Sequence, residues 1–486
     1  MTVVRVNHGF INEVQTVSQM FFPNERFFSC EVGAGSGTAQ GGDGMYAVTE
    51  LGADGVRASV YANGQMLSDY TYPFSKDTAY LGKRRMMMLA FYHAMQIAVP
   101  VYTPWGALTG IRPSKLAREW LNDGLCDDGV VKRLVDPFCV SEQKARLALR
   151  VAHAEKALTE RIFRISENAV GIYVSVPFCP SRCLYCSFNT SHKPAEVDSM
   201  RRYIDCLIKE CAKKAEDIKS MGGAVSSIYI GGGTPTVLPG DLLEKMLDAL
   251  GQAFGGGHFE YTVEAGRPDT ITAGKLKILR RYGVNRIAIN AQTFNDKTLE
   301  TIGRSHRASD FFRAFSLARE AGFDCINTDL IAGLPGETLD DMKRNMELLG
   351  GVSPENITIH TLAVKRASRL NEYMSDPSRE AGYPLASAAD PTAVGAMLDF
   401  CAKFCAGAGL LPYYLYRQKN MVGLFENVGY SLRGKECLYN IGMMAEVQTI
   451  FGIGAGAVSK FVSFGKITRE FNEKNPEIYI ERRNAE

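Results

Sequence analysis

The chain has 486 residues, 46% of them hydrophobic and 22% charged, with a net charge of +2. That is the make-up of a globular protein of two or three domains. It excludes the global basic field that draws nucleic acid, and no apolar run reaches the ~18 residues of a membrane span.

In chain order, residues 1–75 read as β-rich. GVRASVY (55–61) leads into Asn63-Gly64, a pair suited to a tight hairpin turn because both residues tolerate positive φ. GAGSGTAQGGDG (33–44) reads as a connection between strands. Residues 80–165 turn helical, beginning with KRRMMMLAFYHAMQI, whose three methionines read as core filler. Pro113 suits the first turn of a helix, and Ser141 opens a long amphipathic one. Trp105 and Arg112, in TPWGALTGIRPSK, belong to a packed turn or to a docking surface, with the buried tryptophan the safer expectation.

From 171 a regular alternation begins. Strand-like runs fall at IYVSV (172–176), SIYIG (227–231), EYTVEA (260–265), RIAIN (286–290), CINTDLI (325–331) and ITIHTL (357–362), with amphipathic stretches such as 198–218 and 339–350 between them. Six β/α units in tandem predict a parallel sheet curled into a partial or complete barrel. In such barrels the chemistry sits at the carboxyl ends of the strands. A cysteine loop follows the first strand, GGGTPT the second, Glu264 ends the third, Gln292 follows the fourth, and Asp329 lies late in the fifth. All five map to one rim. The expected division is 1–165 as an N-terminal α+β domain, 166–370 as the barrel, and 371–486 as a smaller, mostly helical domain.

The cysteine loop, VPFCPSRCLYC, crowds three of the chain's twelve cysteines into eight residues as Cys179-x3-Cys183-x2-Cys186. The N-terminus lacks a signal peptide's apolar core, so the cytoplasm is the expected compartment, and thiols stay reduced there. Three thiolates on one loop can hold three irons of a four-iron cluster and leave the fourth open. With His192 they could instead form a Cys3His zinc site. The pairs Cys401/Cys405 and Cys206/Cys211 read as structural. Gly231–Thr236 could let backbone groups approach a ligand closely, or could simply form a tight β–α turn. FGIGAGAVS (451–459) fits G-x-G-x-x-A, but too little chain follows it for a dinucleotide-binding unit. Glu264, Gln292, Arg304 and Asp329 are candidates to orient a cofactor.

With IYVSVPFCPSRCLYC, YIGGGTPT, NAQTFND, IGRSH and NTDLIAGLPGET in order over about 171–370, the chain resembles the oxygen-independent coproporphyrinogen III oxidase-like family of radical S-adenosylmethionine (SAM) proteins. PWGALTGIRPSKLA and YYLYRQKNMVGLFENVGY resemble its HemZ, or coproporphyrinogen dehydrogenase, branch. The resemblance implies a radical-SAM partial (β/α)6 barrel, one 4Fe-4S cluster held by Cys179, Cys183 and Cys186, and one or two SAM molecules. The positions that match SAM contacts are Tyr173, Gly232, Gly233, Thr234, Glu264, Gln292, Arg304, Asp329, Ala363 and Val458. It also implies a low-potential electron donor and reductive cleavage of SAM to a 5′-deoxyadenosyl radical. The reaction expected is oxidative decarboxylation of two propionates of coproporphyrinogen III to vinyls in haem biosynthesis. The tetra-anionic tetrapyrrole calls for local positive charge, for which Lys365, Arg366, Arg369, Arg417 and Lys419 are candidates. Two positions depart from the oxidases: Phe188 stands where a fourth cysteine is usual, and Ser175 where a histidine is. The haem-chaperone branch shares the phenylalanine, so a haem-trafficking protein without oxidase activity, or an enzyme acting on another tetrapyrrole, stays open beside the oxidase.

Overall fold

The structure is a computed structural model that describes every residue except Asn24, 33–43, 75–78, Ile111, 188–195, 256–259, 376–389, Lys419, 464–465 and Glu486. Phe188, His192, Lys419 and almost all of the 33–44 connection therefore lie outside the described residues. Two compact units are present: Met1–Pro113 with Glu119–Leu149, and Ser114–Arg118 with Arg150–Glu486.

The first unit contains β1 (Thr2–Val6), α1 (Ile11–Phe21), β2 (Phe28–Val32), β3 (Met45–Leu51), β4 (Gly55–Ala62), β5 (Gln65–Pro73) and α2 (Tyr80–Ala98). Its sheet runs β2-β1-β3-β4-β5. Asn63 and Gly64, with φ of 50° and 79°, make the two-residue turn between β4 and β5 that the pair requires. Met87 is buried in the core of this unit, and Trp105 is buried in its turn. Three helices follow: α3 (Pro113–Asn122), α4 (Asp127–Val135) and α5 (Glu142–Ile165). Pro113 occupies the first turn of α3, where its missing N–H costs nothing. Ser141 accepts from the Lys144 amide at the start of α5. The division between the units falls inside α3 and α5.

The second unit carries the repeated pattern. It runs β6 (Ala169–Val176), α6 (Val197–Ser220), β7 (Ala224–Gly232), α7 (Gly240–Phe254), β8 (Glu260–Glu264), α8 (Ala273–Arg281), β9 (Arg286–Ala288), α9 (Asp296–Thr301), α10 (Ala308–Glu320), β10 (Ile326–Ala332), α11 (Leu339–Val352) and β11 (Asn356–Thr361). Strands β6 to β11 are parallel and adjacent in chain order. Seven of the eight residues of β6 are buried, as expected of a strand covered on both faces. α6 turns Tyr203, Ile204, Leu207 and Cys211 inward at helical spacing. Cys206, Cys211, Cys401 and Cys405 are all buried in helices.

The chain then adds α12 (Arg369–Ser375), α13 (Pro391–Gly407), β12 (Leu411–Tyr416), β13 (Asn427–Ser431), α14 (Leu438–Met444), β14 (Thr449–Ile453), β15 (Val458–Ser463), β16 (Lys466–Phe471) and α15 (Pro476–Ala485). This stretch, expected to be mostly helical, also contributes five strands. β13 pairs antiparallel with β11, and β14 pairs parallel with β6, so the order becomes β12-β13-β11-β10-β9-β8-β7-β6-β14-β15-β16. The physical reason is edge protection: a six-stranded sheet leaves unpaired N–H and C=O groups on β6 and β11, and both are satisfied by the chain that follows. The sheet stays open, with β12 and β16 as its end strands.

Candidate functional site

The carboxyl ends of β6 and β7 are stitched together. The Gly233 amide donates to the Val176 carbonyl at 2.8 Å, and the Thr234 amide to the Phe178 carbonyl at 2.7 Å. Gly232 has φ of 100°, and a Cβ on Gly233 would lie 2.4 Å from the Phe178 carbonyl oxygen. Only glycine lets the two turns approach so closely. Within the cysteine loop, the Cys186 amide donates to the Cys183 carbonyl, and the Leu184 amide donates to the Ile302 carbonyl at 2.9 Å.

These turns open on a cavity of about 350 Å³. Cys179, Cys183 and Cys186 line it, together with Gly232, Gly233, Thr234, Glu264, Gln292, Arg304, Asp329, Ala363 and Lys365. A run of residues spread over 187 positions of sequence thus meets in one hollow at the predicted rim. Among the described residues, no three His, Cys, Asp or Glu side chains come together as the ligand set of one ion. Three thiols on one cavity fit a multi-iron cluster better than a single tetrahedral zinc, and the buried, unpartnered Oε1 of Gln292 in the same lining offers an acceptor to a ligand's polar end. The residues present fit the groups that the motif implies.

The electrostatics are uneven. Burial pushes the Cys179 thiol up to about 11, opposed by the Thr234 hydroxyl and, more weakly, by the charge of Arg267. Burial also pushes Glu264 up to about 7; the hydroxyl of Tyr229, which donates to it, opposes this, while Asp329 reinforces it. Asp329 behaves differently. Burial pushes it up too, but His360, Asn327 and Thr358 outweigh burial and hold it below the usual carboxylate range. His360 Nε2 lies 3.5 Å from Asp329 Oδ2. Gln292 adopts φ of 67°, in the left-handed region, and its amide and carbonyl are both tied to β10, through the Asp329 carbonyl and the Ile331 amide. Its side-chain Oε1 is buried and has no hydrogen-bond partner, as for a group built to meet a ligand.

Arg304 lines the cavity but spends its donors within the chain. One Nη2 serves the carbonyls of Gly266 and Asn290, Nε lies 3.4 Å from His306 Nδ1, and Nη1 reaches the Tyr185 hydroxyl at 3.4 Å. His306 is pushed down to about 3 by burial first and then by Arg304 and Arg267, so it is neutral. Tyr173 stacks with Tyr229 and Tyr439 rather than lining the cavity. Val458 opens β15 paired with Phe471, also outside the lining. Nor does the lining include Arg366 or Arg417. Arg366 is exposed in the turn after β11. Arg417 is buried, donates to the Leu424 carbonyl, and is pushed down to about 10 by burial. Arg369 donates to its own helix neighbour Tyr373. Ser175 is buried, with its hydroxyl donated to the Ala455 carbonyl.

Sequence reasoning missed Arg267, Tyr185 and His360, all on the cavity wall. Arg267 and Tyr185 sit within quoted motifs or beside them, and chain proximity alone could have flagged them. His360 was legible only as part of a strand. A second cavity, of about 180 Å³, lies deeper; it shares Glu264, Asp329, His360 and Tyr416 with the first and is otherwise lined by Tyr229, Tyr413, Tyr414 and neighbours.

A parallel α/β sheet with three closely spaced thiols at its carboxyl rim defines a radical SAM protein, and the model of the radical SAM superfamily matches residues 173–349. Over 396 residues, 81% of this chain and 77% of the relative, the chain is 37% identical to the oxygen-independent coproporphyrinogen-III oxidase-like protein HemZ of Bacillus subtilis (strain 168). It therefore belongs, within that superfamily, to the oxygen-independent coproporphyrinogen III oxidase-like family. The heme chaperone HemW of the same organism is 36% identical over 195 residues, 40% of this chain and 50% of that one. Among solved structures, the coproporphyrinogen III oxidase HemN of Escherichia coli shares the fold, with a TM-score of 0.51 and 22% identity over 68% of this chain and 73% of that one. Membership in the superfamily implies a 4Fe-4S cluster and SAM. No helix among the described residues is long and apolar enough to cross a membrane.

Proposed function

We propose that the chain is a radical SAM oxidoreductase that decarboxylates propionate side chains of coproporphyrinogen III to vinyls. The observation that carries this is the convergence of the three cysteines, the glycine turn, Glu264, Gln292, Asp329 and Lys365 on one cavity. In this reading Cys179, Cys183 and Cys186 hold the cluster, and Gly232–Thr234, Gln292, Asp329 and Ala363 receive SAM. Cluster and SAM together supply a primary carbon radical able to take a hydrogen atom from an unactivated C–H bond. The chain's own part is to orient and to exclude water. Gln292 offers its buried amide oxygen, Asp329 stays ionised to accept from hydroxyls, and Glu264 is half-protonated near neutrality, so it can both accept and donate. Lys365, lowered by burial and steadied by Cys186, faces the cavity as the cation for a propionate carboxylate. Each propionate loses one hydrogen atom, then CO2 and one electron, which passes to a one-electron acceptor.

The extent of the likeness to the oxidase-like relative, most of both chains, supports this reading. A haem-trafficking role is the second reading, favoured by the similarity to a heme chaperone over the shorter stretch. The reconstituted protein, assayed without oxygen with SAM, a low-potential reductant and coproporphyrinogen III, separates the two. Vinyl product in step with 5′-deoxyadenosine supports the oxidase. Stoichiometric haem capture without product overturns it in favour of the carrier.

A further inference from the structure

Arg267 stands three residues beyond Glu264, in the turn after β8, with its side chain only 4% exposed. Its guanidinium pairs with Asp269 through two parallel bonds, Nε to Oδ1 at 3.1 Å and Nη2 to Oδ2 at 3.2 Å. The remaining nitrogen, Nη1, donates to Ser181 Oγ at 2.9 Å. The Ser181 hydroxyl in turn donates to the Gly303 carbonyl at 2.8 Å. Ser181 lies between Cys179 and Cys183, so a fixed cation is anchored within the segment that bears two of the thiols, and Arg267 lines the same cavity as all three. The turn itself is rigid: the Thr270 amide and hydroxyl both donate to the Arg267 carbonyl.

The ion pair is lopsided. The Asp269 side chain is 25% exposed and its field is screened by water, whereas the arginine is buried and its field is not. At the cysteine wall the positive member dominates. A buried cation beside an iron–sulfur cluster favours the reduced, more negative state.

We propose that Arg267 is a positioning residue that locks the Cys179–Cys183 segment through Ser181 and, by its buried charge, raises the reduction potential of the cluster. This rests on reading Cys179, Cys183 and Cys186 as the cluster ligands. It yields two effects of opposite sign: loss of the guanidinium makes the cluster harder to reduce, and loss of the Asp269 charge, which leaves the cation unopposed, makes it easier. A purely structural role moves both variants the same way or neither.

The test uses the full chain, reconstituted without oxygen, as wild type, R267Q, R267K and D269N. Iron and sulfide are counted, and the midpoint potential is read by redox titration followed by electron paramagnetic resonance. R267Q is expected to shift the one-electron reduction equilibrium about tenfold toward the oxidised form, about 59 mV more negative. D269N is expected to shift it the other way, and R267K to stay nearer wild type than R267Q. Fully loaded R267Q and D269N with wild-type potentials, or shifted in the same direction, overturn the proposal, as does R267K matching R267Q. If R267Q cannot hold its cluster, D269N decides alone: an upward shift sustains the assignment and any other result removes it. A wild-type chain that takes up no iron and sulfide sinks the cluster reading itself, and this inference with it.

Discussion

Strand β8 begins with Glu260 and ends with Glu264, two glutamates on one five-residue strand with opposite fates. At the amino end, Glu260 Oε2 accepts from the Leu438 amide at 2.7 Å, Oε1 from the Tyr439 amide at 3.0 Å, and the Cys437 thiol donates to it as well. Arg286 lies 3.9 Å away and serves the Lys435 carbonyl and Asn356 in the same cluster. That carboxylate caps the start of α14, and its lone pairs are spent on the fold. At the carboxyl end, Glu264 receives one bond from Tyr229, faces two cavities and is pushed up to about 7. The contrast teaches that one end of the sheet is saturated by its own chain and serves stability, while the other keeps capacity in reserve for a ligand.

The comparison can be broken in several ways. The largest effect is expected at the rim, where C183A should abolish the iron–sulfur absorbance and reductive SAM cleavage while the far-ultraviolet circular dichroism stays native. Next comes the opposite end. E260A leaves the α14 amides without their acceptor and the buried Arg286 without its counter-charge, and denaturant titration should show about 3–5 kcal/mol of lost stability. Its affinity for SAM after reconstitution should match wild type.

Glu264 gives a pH signature. Its pKa is raised on folding from an ordinary 4.5 to about 7, so its stabilising contribution is full below pH 4.5 and lost as pH rises through 7. E264Q removes that dependence. Its melting temperature relative to wild type should therefore climb between pH 4.5 and 8, by the equivalent of about 3 kcal/mol at most. A flat difference would mean that Glu264 titrates as an exposed carboxyl. The smallest effect concerns substrate. K365M should weaken coproporphyrinogen binding about tenfold, about 1.4 kcal/mol, with SAM cleavage in the absence of substrate unchanged. R366M, whose side chain is exposed and off the cavity, serves as the control and should change little.

Much of the site was legible before any fold was known. The spacing Cys179-x3-Cys183-x2-Cys186 marks a shared loop by itself, and short strand-like apolar runs separated by amphipathic stretches predict β/α repeats, hence one chemical rim. The run Gly231–Thr236 could be read as a close approach of backbone to a ligand or as a tight β–α turn, because glycines carry no Cβ. Arg417 misled for the opposite reason. A cation in YYLYRQKN reads as available charge, yet Arg417, just past β12, is buried and donates to the Leu424 carbonyl, and burial is set by the elements packed around it. The C-terminal strands were hidden for a related reason, since edge pairing to β6 and β11 connects residues far apart in sequence.

The order of the repeats, the glycine run of the second turn and the grouping of three thiols on one loop were determined by the sequence alone, because pattern, backbone freedom and local spacing are properties of neighbouring residues. Only the tertiary structure decided that Glu260 is consumed by α14 while Glu264 is held in reserve, that Arg304 is bound to carbonyls, and that Arg267 reaches Ser181 across 86 positions of chain. Charge, burial and hydrogen-bond satisfaction depend on which distant groups arrive at a side chain. No window of sequence contains that information.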